Sequence, residues 1–192
     1  MPAPNPAAFA FLQNRRSRPA KLFAGPVPNR DEVQMILSAA TRVPDHGKLE
    51  PWRLVVLQAP AMARVAHQAA QHAQSIGADA EKTAKARGQF DLGKLVVVVI
   101  SSPKPSEKVP EIEQVLSAGA LCMNIVNAAE AAGWGANWLS GWPAHDAAFV
   151  KAAFGCTATE TVAGIVHIGT PAADGPDRPR PDMDRLITWA TA

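Results

Sequence analysis

The chain has 192 residues, enough for one domain that buries most of the surface its unfolded form exposes. Hydrophobic residues make up 47% of the chain and charged residues 19%, values that exclude an intrinsically disordered protein. The net charge of +2, with no basic stripe, gives no reason to expect a nucleic-acid partner.

The cysteines and the N-terminus bear on the compartment. Cys122 and Cys156 lie in apolar sequence without a CxxC spacing, which predicts buried free thiols rather than a disulfide. Residues 1–16 lack a charged region ahead of a long apolar core, so we expect no signal peptide. Together these features predict a soluble, cytoplasmic protein.

The first predicted element is a short helix over residues 6–14, with Phe9 and Leu12 on its inner face. Pro19 discourages helix just before it. The residues between are basic with one hydroxyl: Arg15, Arg16, Ser17 and Arg18. Arginine forks bind phosphate bidentately and serine adds a donor, so this run is a candidate anion site. From spacing alone, a solvated basic turn is favoured over that site.

Residues 29–42 predict an amphipathic helix that begins at the N-cap Asn29. Its apolar stripe consists of Val33, Ile36, Leu37 and Ala40. The loop DHGKLEPW, residues 45–52, follows and leads into a predicted strand at 52–57. Because loops ahead of rigid strands often carry sites, His46 fits a ligand-binding role and a structural role equally well.

Two further helices are predicted, over residues 61–76 and 79–87. His67 and His72 are five residues apart and no HExxH motif is present, so we expect no metal site. The β-branched run KLVVVVIS at residues 94–101 predicts a strand covered on both faces.

The segment from Pro110 to Gly135 predicts a long central helix. Acidic residues in its first turn suit a helix N-terminus, and from Ser117 onward it is apolar on nearly every side. A membrane span is the alternative, which the charged start and three polar interruptions oppose: Asn124, Asn127 and Glu130. We expect the helix to be buried against its own sheet and against a second subunit.

The remaining elements are predicted as a strand at 136–139, a helix at 146–154 and a strand at 161–169. A tail rich in Pro, Arg and Asp (172–181) leads to a terminal element at 183–189. Four strands separated by helices indicate an α/β or α+β fold with helices on both faces of the sheet. No Walker loop and no GxGxxG motif after a strand is present in the sequence.

Five motifs, in their order and spacing, resemble the nitroreductase family of FMN flavoproteins. They are RRS at 15–17, RVPDH at 42–46 running to Pro51-Trp52, SAG at 117–119, GWGANW at 133–138 and GTP at 169–171. The resemblance covers roughly residues 6–190. It implies an α+β sandwich with a central mixed sheet flanked by helices, in a single domain of residues 1–192. It also implies an intertwined homodimer built around the long helices.

The resemblance further implies that FMN lies at the subunit interface. The cofactor-binding residues it implies are Arg15, Arg16, Ser17, Arg42, His46, Trp138, Leu139, Ser140 and Arg180. Those it implies for NAD(P)H are Arg87, Ala128, Ala129, Glu130, Ala131, Ala132 and Gly133. The chain departs from close members at Leu139, where they carry arginine, and at Gly47, which replaces a basic residue beside Lys48.

Physical chemistry agrees with a flavin site. FMN carries a phosphate dianion, and reduction adds negative charge at the pyrimidine edge of its ring, so cations are needed at two places. Because the cofactor supplies the hydride chemistry, no catalytic acid, base or nucleophile is required. We expect an NAD(P)H oxidoreductase that reduces a nitroaromatic, a quinone or a similar acceptor by ping-pong hydride transfer. The alternatives are an FMN-dependent reductase or dehalogenase of another substrate, and a flavin-binding protein without turnover.

Overall fold

Seven helices and five strands are found in the part of the chain that the structure, a computed structural model, describes: residues 3–173 and 177–190. The helices are α1 (Pro6–Asn14), α2 (Arg30–Ala40), α3 (Ala59–Ser75), α4 (Ala80–Asp91), α5 (Glu111–Ala131), α6 (Ala147–Phe154) and α7 (Met183–Leu186). The strands are β1 (Phe23–Ala24), β2 (Trp52–Gln58), β3 (Leu95–Ser101), β4 (Gly135–Leu139) and β5 (Thr161–Pro171). Every predicted helix and strand is present, and the two-residue β1 was not predicted.

The strands form one five-stranded sheet in the order β1-β5-β3-β2, with β4 also paired to β5. β5 is the central strand, since it pairs with β3, β4 and β1. Among the described residues all four pairings are antiparallel, which corrects the expectation of a mixed sheet. One reason is that α3 and α4 pack together as a helical hairpin, which returns the chain to the end of the sheet that it left.

Helices cover both faces of the sheet, which confirms the predicted α+β sandwich. One apolar core lies between the sheet and α3, α4 and α6, and the other lies between the sheet and α2 and α5. β3 contributes to both cores and is buried along its whole length, as its β-branched run predicts. None of the helices in the described ranges combines the length and the apolar character needed to cross a bilayer.

The predicted start of α2 is confirmed in atomic detail. The Asn29 side chain accepts hydrogen bonds from the backbone N–H groups of Asp31 and Glu32, at 2.9 and 3.0 Å. The Glu32 carboxylate accepts in return from the Asn29 N–H at 2.7 Å. This reciprocal capping box satisfies donors that every helix N-terminus leaves free.

Within one chain, the central helix α5 is buried on the face that packs against the sheet. Its inner residues are fully buried, among them Leu121, Cys122 and Ile125. Toward its N-terminus, however, Ile112, Val115 and Leu116 are exposed. Within one chain, α5 is therefore covered on its sheet side and open on the other, and a second subunit remains a prediction.

An ion pair that has no local sequence signal connects β2 to the turn before β5. The Arg53 Nε donates to Glu160 Oε1 at 2.7 Å and its Nη2 donates to Oε2 at 2.9 Å. The Arg53 hydrogen bond is the main reason why the pKa of Glu160 falls to about 2. The free energy that this pair adds is therefore complete above pH 4.5, the ordinary pKa, and is lost as the pH falls through 2.

We expect Glu160→Gln to lower the free energy of unfolding by about 2 kcal/mol at neutral pH, because it breaks charged hydrogen bonds at a nearly buried acceptor. Urea unfolding at pH 7 checks this value. The control is Glu81→Gln, which removes an exposed i,i+4 pair with Lys85 and should change stability by less than about 0.5 kcal/mol. Equal losses in the two variants would contradict the prediction.

Candidate functional site

The predicted basic run packs against the C-terminal half of α5. The Arg15 side chain is 18% exposed, with its Nη1 3.9 Å from Met123 Sδ and its Nε 3.7 Å from Glu130 Oε2. The backbone N–H of Arg18 donates to the carbonyl of Ala136 at 2.9 Å, which fixes the run to the start of β4. These contacts favour a positioned cationic site over the solvated turn.

The tail brings one further predicted arginine to this place. Arg180 Nη2 makes a close contact with the backbone carbonyl of Gln13, in the last turn of α1. This contact holds the exposed Arg180 at the C-terminal turn of α1, two residues before Arg15 in the sequence. Of the predicted neighbours, Arg16 is half-buried and Ser17 is exposed.

A cavity of about 350 Å³ opens beside the basic run. Its lining includes charged, aromatic and glycine residues: Phe11, Asn14, Arg15, Arg18, Glu130, Gly133, Trp134, Gly135 and Pro171. Residues predicted for FMN and residues predicted for NAD(P)H, namely Arg15, Glu130 and Gly133, thus share this one cavity.

The second predicted loop lies along the N-terminal half of α5. The Ser117 hydroxyl donates to the carbonyl of Pro44 at 2.6 Å and accepts from Trp52 Nε1 at 3.1 Å. Nδ2 of Asn124 donates to the carbonyl of Ala40 at 2.8 Å. Polar side chains of α5 therefore hold both ends of this loop.

The backbone of the loop is constrained from within. The Asp45 carboxylate accepts from the backbone N–H groups of Leu49 and Glu50, at 3.0 and 2.9 Å. Gly47, Lys48 and Glu50 adopt positive φ angles, a conformation that is uncommon for residues other than glycine. A loop that carries such conformations is held by its surroundings, which favours a binding role over a plain connection.

His46 lies at the rim of a second cavity, of about 370 Å³. Its Nδ1 is 2.8 Å from Glu113 Oε2. The cavity is lined by Pro44, His46, Glu113, Leu116, Ser117 and Ala120.

The two groups of predicted FMN residues flank α5 from different sides. The backbone carbonyl of Arg42 is 3.5 Å from Asn124 Nδ2, next to the residue that Arg15 contacts. His46 contacts Glu113, ten residues before Met123, which at 1.5 Å per residue places it about 15 Å nearer the helix N-terminus. A single chain therefore does not bring His46 to Arg15 and Arg16.

Between the two groups runs a strip of α5 that we call the open stripe: Leu116, Ala120, Met123 and Asn127. Their spacing of i, i+4, i+7 and i+11 places them on one helix face. Leu116 is exposed and the other three are half-buried. Asn127 Oδ1 is buried and has no hydrogen-bond partner among the described residues. The open stripe is thus a partly exposed, mainly apolar helix face with the basic run on one side and the loop that carries His46 on the other.

The predicted residues of β4 point to different faces. The Trp138 indole packs on Gly164, where an added Cβ would lie 2.1 Å from Trp138 Nε1 and 2.8 Å from Cys122 Sγ. Trp138 therefore faces α5, and the next strand residue, Leu139, faces the opposite side. Ser140 follows the strand and is exposed. Of these three, Trp138 shares its face with the basic run.

Arg87 lies away from the other residues predicted for NAD(P)H. On α4, its Nε is 2.6 Å from Asp91 Oδ2, and this ion pair is exposed. Its helix packs on the sheet face opposite α5, since Ala86 and Phe90 belong to the other core. Within one chain, Arg87 and the segment Ala128–Gly133 are not brought together, and their joint role stays a prediction.

Some residues of the two cavities were not singled out in the sequence. Ser117 lies inside a quoted motif, so its position could have been followed further. Met123 and Glu113 carry no signal, because their contacts with Arg15 and His46 join segments 108 and 67 residues apart.

Comparisons with known proteins agree with one another. The model of the family described as "Nitroreductase family" matches residues 12–170. The chain is 35% identical to the "Putative NAD(P)H nitroreductase YdjA" of Escherichia coli K12, over 85% of this chain and 88% of that protein. A Haemophilus influenzae protein named NAD(P)H nitroreductase, also with the qualifier "putative", is 32% identical over the same shares.

Solved structures share the fold. The nitroreductase-like family protein from Bacillus cereus matches with a TM-score of 0.78 at 20% identity, over 100% of both chains. A "putative nitroreductase in complex with FMN" from Desulfovibrio desulfuricans matches with a TM-score of 0.73 at 21% identity, over 99% of this chain and 100% of that one.

Proposed function

Because the chain belongs to the nitroreductase family, we propose that it is an FMN-dependent oxidoreductase that passes hydride from NAD(P)H to a small acceptor such as a nitroaromatic or a quinone. It acts as a single domain in the cytoplasm. The observation that carries the proposal is the cavity beside the C-terminal half of α5, which Arg15 and Arg18 both line. The name of the Escherichia coli relative and the FMN complex of the Desulfovibrio protein support the same cofactors.

The residues present fit a flavin phosphate. Arginine guanidinium groups stay protonated and bind phosphate through two parallel hydrogen bonds. The cavity of about 350 Å³ offers the Arg15 and Arg18 side chains to such a group. Bound FMN would supply the hydride-accepting and hydride-donating chemistry. The chain's own residues would bind its phosphate, and the Trp138 indole, which faces α5, would offer an aromatic wall to its ring.

Two copies of the chain complete the site in this proposal. The open stripe of α5, together with the exposed Ile112 and Val115, forms a helix face that a second α5 can cover. An antiparallel arrangement of the two helices brings His46 of one copy, at the N-terminal end of its α5, toward the basic run of the other copy. The separation of about 15 Å within one chain is then not an obstacle.

The first experiment is an absorption spectrum of purified protein with added FMN, before and after anaerobic NADH or NADPH. We expect bound flavin that loses its visible absorbance with a nicotinamide and regains it with a nitroaromatic or a quinone. Failure to take up FMN would overturn the proposal. Flavin uptake with no bleaching by either nicotinamide would establish flavin binding without turnover instead.

A subunit-mixing experiment tests the shared site. Chains with Arg15→Ala and chains with His46→Ala are co-expressed with different tags, and the heterodimer is purified. If each site takes Arg15 from one copy and His46 from the other, the heterodimer keeps one intact site and binds about half the FMN of the wild type. The control is a homodimer of the double variant, which has no intact site. A heterodimer that binds no more FMN than this control would show that Arg15 and His46 act within the same chain.

A further inference from the structure

Glu130 is the one carboxylate among the described lining residues of the arginine cavity. Its side chain is 9% exposed, and its Oε2 lies 3.7 Å from Arg15 Nε. Its other oxygen, Oε1, is buried and has no hydrogen-bond partner among the described residues. An acceptor that lines a cavity, nine-tenths buried and unpartnered, marks a place where a donor belongs.

Burial and the neighbouring groups act on the Glu130 carboxyl in opposite directions. Burial raises the pKa of its carboxyl, while Arg15, the backbone N–H of Arg16 and the charge of Arg18 act to lower it. These groups come from the basic run, which packs across α5 at this point. The cavity therefore combines phosphate-binding cations with one acceptor oxygen, and it does not present a uniformly positive surface.

This combination selects among phosphorylated ligands. A phosphate ester with a hydroxyl near its phosphate can satisfy the guanidinium groups with one part and Oε1 with the other. A ligand that carries a second phosphate at this depth meets a carboxylate instead.

We propose that Glu130 makes this cavity selective for a phosphate monoester with a neighbouring hydroxyl group, which donates its hydrogen bond to Oε1. The inference rests on the proposed function, since the ribityl phosphate of FMN is such a group. It deepens that function by naming Glu130 as the residue that favours FMN over flavins that lack the hydroxyls or carry a further phosphate.

The test compares three flavins by fluorescence titration: FMN, a flavin with a phosphopentyl chain in place of ribityl phosphate, and FAD. The wild type should bind FMN about tenfold or more tightly than the phosphopentyl flavin, the range expected for one hydrogen bond to a charged acceptor. In Glu130→Ala this ratio should fall to near one. Glu130→Gln keeps an acceptor oxygen and loses the charge, so its FAD affinity should rise relative to FMN.

The matched control is Glu111→Ala, an exposed glutamate in the first turn of the same helix, which should leave both ratios unchanged. If the wild type binds FMN and Glu130→Ala keeps the full preference over the phosphopentyl flavin, the inference is wrong and the proposed function stands. An unchanged FAD-to-FMN ratio in Glu130→Gln would equally overturn the role of the charge. If the wild type binds none of the three flavins, the proposed function fails and the inference fails with it.

Discussion

Replacing Arg15 with alanine is expected to weaken FMN binding about 100-fold, measured as the dissociation constant in a fluorescence titration. The change removes a guanidinium fork from the cavity, and charged hydrogen bonds of this kind contribute about 1.5–3 kcal/mol each. It also leaves the Glu130 carboxylate without the cation that lies 3.7 Å away. The cavity then loses a positive charge and retains a negative one, so both effects oppose a phosphate.

Two further variants make the Arg15 result specific. Arg15→Lys keeps the charge and loses the fork, so its affinity should lie between those of the wild type and the alanine variant. Arg64→Ala is the matched control, because Arg64 is an exposed arginine on α3 that contacts Gln68 and lines neither of the two cavities. An affinity for FMN that is the same in Arg15→Ala and Arg64→Ala would place the phosphate elsewhere.

The free energy of unfolding is expected to fall by about 2 kcal/mol between pH 6.5 and pH 4.5, through one histidine. His167 lies on β5 and is completely buried. Burial lowers its pKa from the ordinary 6.5 to about 4, although the backbone of Gln89 acts in the opposite direction. Below pH 6.5 the unfolded chain binds the proton more readily than the folded chain does. Between the two pKa values, the free energy of unfolding therefore falls by up to about 1.4 kcal/mol for each pH unit. The stability is therefore complete above pH 6.5 and declines as the solution becomes acidic.

Urea unfolding at half-unit steps from pH 7.5 to pH 4.5 measures this decline. The comparison protein is His167→Gln, which fills a similar volume and does not titrate. Its stability should decline less over this range, and the difference between the two curves should grow as the pH falls. The Glu160 pair contributes to acid sensitivity only below pH 4.5, outside the range used. Parallel curves for the two proteins would show that His167 is not the group responsible.

Local sequence signals predicted the elements with bounds close to those observed. The cap at Asn29 and the apolar stripe after it identify α2, and the β-branched run identifies β3, because both signals lie within a dozen residues of chain. β1 could not be predicted in the same way, since its two residues form a strand only through their pairing with Thr170 and Pro171. The direction of the strands likewise depends on how α3 and α4 fold back on each other.

The candidate site shows the same division. The run of arginines and the constrained loop after Pro44 are visible in the sequence, and the structure gives each a fixed place on α5. The sequence does not show the distance between the arginine run and the loop. That distance depends on where each contacts α5: the run at Met123, and the loop and the end of α2 at Glu113 and Asn124. Tertiary pairs such as Arg53 with Glu160 have no local signature for the same reason.

The place of β5 in the sheet has a consequence for synthesis on the ribosome. In the part of the chain that the structure describes, three of the four strand pairings require β5, the strand that is synthesised last. While the nascent chain is shorter than about 160 residues, β2 and β3 have each other as partners, whereas β1 and β4 have none. The second edge of β3 can therefore pair only when nearly the whole chain has been made. Such dependence on distant segments slows folding and prolongs the exposure of an apolar, aggregation-prone strand.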